Sequence, residues 1–90
     1  MTKVFRTVTI ANRRGLHARA SAKFVTLAST QPVEVAVVKD ASPVTGTSIM
    51  GLMMLGAAMG DCITISAEGE GAQAAVDALA ELVEDKFGED

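Results

Sequence analysis

The sequence predicts an α+β fold: one four-stranded, mostly antiparallel sheet covered on one face by three helices, in the order βαββαβα. Three observations carry this. Short runs with a period of two alternate along the chain with runs at helical spacing. Turn residues separate the runs, and neither a repeat nor a linker interrupts them. Ninety residues supply one core, so 1–90 reads as a single domain. Strands this short do not make two packed sheets, and three helices each need a covered face, which one sheet provides.

Val4 to Ile10 alternates, with Val4, Val8 and Ile10 on one face, Arg6 interrupting it, and Thr7 and Thr9 opposite. That pattern predicts a half-buried strand. Asn12 to Gly15 is a polar loop. From Ala18 the period lengthens: Ala20, Phe24, Leu27 and Ala28 share a helical face, and Arg19, Lys23 and Thr26 point away. Gln31-Pro32 stops this helix. Val33, Val35 and Val37 alternate with Glu34 and Ala36 as a second strand. Lys39 to Pro43 is turn-rich, and Val44 begins a short return strand. Thr47-Ser48 offers a capping hydroxyl to a short helix over Ile49 to Leu55, which Gly56 ends. Ile63, Ile65 and Ala67 alternate with Thr64, Ser66 and Glu68, and Gly69 and Gly71 break the strand. A last helix runs to about Phe87. Its apolar stripe is Ala72, Ala75, Val76, Leu79, Leu82 and Val83, and its wet face is Asp77, Glu81, Glu84 and Asp85.

Composition narrows the function. Hydrophobic residues make up 49% and charged residues 21%, which excludes a disordered chain. A single cysteine, Cys62, excludes an intrachain disulfide and a multi-cysteine zinc site. One histidine and one cysteine in separate elements make no metal site, so neither metal nor cofactor is expected. The N-terminal residues lack the apolar core of a signal peptide. Residues 41–60 carry no charge, but their apolar part is too short and too broken by glycine for a span needing about 20 apolar residues. A cytoplasmic monomer without a membrane partner is expected.

The net charge of −3 conceals a division. Residues 1–30 hold six cations and no acid, whereas residues 31–90 hold two lysines against eleven acids. The basic third implies an anionic ligand or an acidic partner, or else charges that scatter over the folded surface. Nucleic acid is not expected, because Phe5 and Phe24 read as core residues and leave no stacking groups among the cations.

Arg13-Arg14-Gly15-Leu16-His17-Ala18-Arg19-Ala20 is the one stretch suited to chemistry. His17 falls where the loop ends and the helix begins. The first N–H groups of a helix lack intrahelical partners, and the positive end of its dipole favours an anion. Arg14 and Arg19 flank that point. A neutral imidazole there is a competent nucleophile toward phosphorus, and the transferred group would meet N–H donors and guanidinium groups. The residues by themselves also allow an exposed histidine with incidental arginines.

Gly15-Leu16-His17-Ala18-Arg19 resembles the active-site motif of the HPr family, the histidine phosphocarriers of the bacterial phosphoenolpyruvate-dependent phosphotransferase system. Thr47 to Leu55 resembles the family's regulatory-serine segment, and Asp61 to Gly69 its last strand, so the likeness covers essentially the whole chain. It implies an HPr-like open-faced β-sandwich and a carrier, not a turnover enzyme. It implies that enzyme I, charged by phosphoenolpyruvate, phosphorylates His17 on Nδ1, and that an EIIA-type protein receives the group. Arg19 would neutralise the group, and the N–H groups of Ala18 and Arg19 would bind it. Ser48 would be the target of an HPr kinase/phosphorylase. Arg14, Lys23, Ile49, Met50 and Met53 would form the partner surface. Ala20 departs from the family's usual proline, which predicts a looser first helical turn.

Two questions stay open in the residues themselves. Ser48 serves as a helix cap, a phosphorylation site or both. The methionines of 49–54 either fill the core or form an exposed adaptable patch. The nitrogen-related branch of the same system is an alternative assignment, and a module that binds an anion without covalent chemistry is a more remote one.

Overall fold

The computed structural model describes residues 2–89. Its elements are β1 (Lys3–Thr9), α1 (Ala18–Ser29), β2 (Val35–Lys39), β3 (Ser42–Thr45), α2 (Ile49–Met54), β4 (Cys62–Glu68) and α3 (Ala72–Glu84), followed by one 3-10 turn over Lys86–Gly88. The strands form one sheet in the order β1-β4-β2-β3. All three pairings are antiparallel. This is the expected βαββαβα sandwich, open on one face.

Register explains which face is buried. Val4 pairs with Ala67, Arg6 with Ile65 and Val8 with Ile63. Val35 and Val37 continue the same rows from β2. The apolar side chains of these rows pack with Phe24 of α1, Leu52 of α2, and Val76, Leu79 and Val83 of α3 in one core cluster. Arg6, the misfit in the apolar row, finds its partners on α3: it donates to Asp77 at 3.2 Å and to Glu84 at 3.0 Å. All three side chains remain partly exposed, so these bonds satisfy the guanidinium more than they stabilise the fold.

Phe5 is a correction. It was expected in the core, yet it is 63% exposed. The period of two decides this: Phe5 shares its face with Thr7 and Thr9, opposite Val4 and Val8. On that open face Lys3 lies 5.2 Å from the Phe5 ring centre, and the Thr7 and Thr64 hydroxyls meet at 2.9 Å. Phe5 is therefore an exposed aromatic after all, but α1 and its cations pack on the other side of the sheet.

The last helix is also shorter than expected. It ends at Glu84, because Lys86 and Phe87 take left-handed conformations with φ of 58° and 55°. The chain reverses there and buries the Phe87 side chain to 1% exposure.

Candidate functional site

His17 occupies the N-cap position of α1 with extended backbone, φ −72° and ψ 178°. Its carbonyl accepts the Ser21 N–H at 2.9 Å, the bond that opens the helix. The N–H groups of Ala18, Arg19 and Ala20 precede that bond and are the orphan donors of the first turn. Ala20, in the first turn, has its side chain fully buried.

The loop before the helix is fixed on both sides. Gly15 has a φ of +64°, and a Cβ there would overlap the Ala57 carbonyl oxygen. That same oxygen accepts the Leu16 N–H at 2.9 Å, which ties the histidine loop to the segment after α2. Ser21 closes the other side by donating its hydroxyl to the Leu16 carbonyl at 3.1 Å.

The His17 side chain is only 16% exposed, and its Nε2 lies 2.6 Å from Glu89 Oε2. Asn12 Nδ2 donates to Glu89 Oε1 at 3.1 Å and to the Gly15 carbonyl at 2.8 Å. Partial burial pushes the Glu89 carboxyl up, but the hydrogen bonds from His17 and Asn12 and the charges of His17 and Lys23 outweigh it. The group sits below the usual carboxylate range. Neither Asn12 nor Glu89 was singled out from the sequence. Asn12 read as loop polarity, and Glu89 is 72 residues from His17, beyond any local pattern.

The other expected site residues divide. Arg14 and Arg19 are exposed, as is Arg13, and among the described residues none of the three forms an ion pair. Lys23, expected to face a partner, donates to the Phe87 carbonyl at 2.7 Å, which ties α1 to the C-terminal turn. Ser48 caps α2, its hydroxyl accepting the Gly51 N–H at 2.9 Å. The methionine question resolves toward the surface. Leu52 is buried, while Ile49, Met50 and Met53 are exposed, together with Met54 and Met59. The helix that carries this patch, α2, packs on α1, the helix that His17 starts.

Among the described residues no group of histidine, cysteine and carboxylates is placed to hold a metal ion. No described helix is long and apolar enough to cross a membrane.

A small open-faced sandwich that presents its only histidine at an unpaired helix start has the makings of a group carrier. The comparisons with known proteins agree: the chain belongs to the HPr family, since the family model for the PTS HPr component phosphorylation site matches residues 4–85. It is similar to the phosphocarrier protein NPr of Shewanella violacea, 45% identical over 99% of this chain and 98% of the relative. It is also similar to the phosphocarrier protein HPr of Neisseria meningitidis serogroup A, 49% identical over 91% of this chain and 92% of the relative. Among solved structures, HPr-C-His from Thermoanaerobacter tengcongensis superposes with a TM-score of 0.89 at 44% identity, covering 100% of this chain and 99% of that one. The protein is thus a phosphocarrier of the phosphotransferase system, a carrier and not a catalytic enzyme, and its partners are those of that system, enzyme I and EIIA-type proteins.

Proposed function

We propose that His17 is the residue that carries the phosphoryl group, accepting it on Nδ1 from phosphorylated enzyme I and passing it to an EIIA-type protein. The observation that supports this most is the placement of a half-buried imidazole beside the orphan N–H groups of Ala18 and Arg19. Those donors and the Arg19 guanidinium match the charge on the phosphoryl oxygens. In this reading the carrier works as a monomer. Incubation with enzyme I and phosphoenolpyruvate adds about 80 Da as an acid-labile group, and His17→Ala removes the gain. An unchanged gain in His17→Ala overturns the assignment.

Ser48 is the regulatory residue in this reading, phosphorylated by an HPr kinase/phosphorylase. Its hydroxyl already sits at a helix start, where added negative charge suits the helix, and the apolar residues beside it are those a partner would cover. Arg14, Lys23, Ile49, Met50 and Met53 form the docking face. Relatives named HPr and NPr are similar to this chain at comparable identity, so the branch is decided by the acceptor: a sugar-permease EIIA that removes the label supports the sugar relay, and removal by a nitrogen-branch EIIA alone supports the other.

A further inference from the structure

We propose that Glu89 is the positioning residue of the histidine site, holding the His17 Nε2–H so that the Nδ1 lone pair is presented for phosphoryl transfer. The inference rests on the reading of His17 as the acceptor. A carboxylate oxygen only accepts, so the 2.6 Å contact requires Nε2 to donate. In the neutral ring the lone pair then lies on Nδ1. A histidine in water exchanges freely between its two neutral forms, and here one of them is selected.

The selecting carboxylate is itself held. Its other oxygen accepts from Asn12 Nδ2, and Asn12 is buried to 1% exposure with the same amide bonded to the Gly15 carbonyl. The backbone that delivers Glu89 is anchored by the buried Phe87 ring, by Lys23 on the Phe87 carbonyl, and by the Glu89 N–H on the Lys86 carbonyl at 2.9 Å. Two successive non-glycine residues in the left-handed region persist only where their surroundings over-determine them. All of this fixes one carboxylate against one ring nitrogen.

The chemistry uses the arrangement in both directions of transfer. The Nδ1 lone pair forms the new bond to phosphorus while the bond from phosphorus to the donor breaks, and the donor keeps that electron pair. The ring becomes positive, the charge is shared with Nε2–H, and the Glu89 carboxylate faces it. Onward transfer reverses each step. Glu89 acts through the ring and does not touch the phosphoryl group, as an aspartate behind a catalytic histidine does in hydrolases.

The test is nitrogen-15 NMR of the His17 ring, at a pH where the ring is neutral, combined with the rate of phosphorylation by enzyme I. The wild-type ring is expected to show a protonated Nε2 and a bare Nδ1. In Glu89→Ala the two resonances move toward each other as the neutral forms mix, and phosphorylation slows about tenfold, the scale of one charge-assisted hydrogen bond. Glu89→Gln, whose amide oxygen still accepts, keeps the wild-type ring pattern and transfers more slowly than wild type. Ring resonances or transfer rates left unchanged by Glu89→Ala overturn the proposal. The ring spectra need no phosphoryl donor, so they report on Glu89 even if His17→Ala were to retain the label.

Discussion

The Ala57 carbonyl oxygen occupies the space that a side chain on Gly15 would need, and it bonds the neighbouring Leu16 N–H. The histidine loop therefore closes against its support only because residue 15 has no Cβ. Gly15→Ala combines a left-handed alanine with a backbone overlap, and Ala58 Cα would stand only 2.9 Å from the new atom. A loss of at least about 2 kcal/mol is expected by urea unfolding. A variant as stable as wild type would mean that the loop can move off residue 57.

The β2–β3 hairpin carries strain of the same kind that glycine would relieve. Lys39 pairs with Ser42, so Asp40 and Ala41 alone make the turn, with φ of 50° and 66°. Such two-residue turns favour glycine at the second position. Relief of left-handed alanine, roughly 1–2 kcal/mol, outweighs the roughly 0.5–1 kcal/mol that glycine loses through its freer unfolded chain. Ala41→Gly should raise the urea midpoint with no change in its slope.

Ser48 separates cap from charge. Ser48→Ala removes the acceptor for the Gly51 N–H and should cost about 1 kcal/mol, seen as a fall in Tm of about 4–8 °C. Ser48→Asp keeps an acceptor at the helix start and should stay near wild-type stability. Its effect should appear in transfer from enzyme I, which slows. Equal transfer rates in Ser48→Asp and wild type would remove Ser48 from the regulatory reading.

The lowered Glu89 carboxyl gives a signed pH dependence. The folded group binds a proton less readily than the unfolded one, whose ordinary value is 4.5. Its contribution to stability is complete above about pH 4.5 and is lost as pH falls through the lower folded value. Urea midpoints of wild type and Glu89→Gln should differ at neutral pH and converge in acid. A constant gap between them would show that the charge contributes nothing.

The methionine face should matter to binding and not to folding. Met50→Gln and Met53→Gln change exposed side chains, so stability should move by less than about 0.5 kcal/mol. Affinity for enzyme I, measured by calorimetry, should fall by about tenfold if these side chains are anchors. Added salt should weaken the same association by screening Arg14 and Arg19.

Local periodicity made most of this architecture legible. Ile63, Ile65 and Ala67 announce the last strand because three alternate side chains on one face have one place to go. Phe5 was misplaced by its hydrophobicity, although its own parity with Thr7 and Thr9 already contradicted a core position. Arg6 looked like a flaw because its two carboxylates lie on an element more than 70 residues later. The sequence extends the helix over Ala72–Glu84 to Phe87 because Phe87 is apolar, but Phe87 is buried from a left-handed backbone that no periodicity encodes. In the site, His17 and its flanking donors follow from one short stretch. Asn12, Glu89 and the structural use of Lys23 depend on contacts between distant parts of the chain, which one sequence does not display.

The contact between His17 and Glu89 also has a meaning in time. The two residues are 72 positions apart, so a ribosome adding on the order of 5–20 residues per second produces the histidine several seconds before the carboxylate. β1 waits almost as long, since among the described residues its sheet neighbour is β4. A nascent chain thus exposes its histidine without its acceptor, and the complete site arises only after synthesis has passed residue 89.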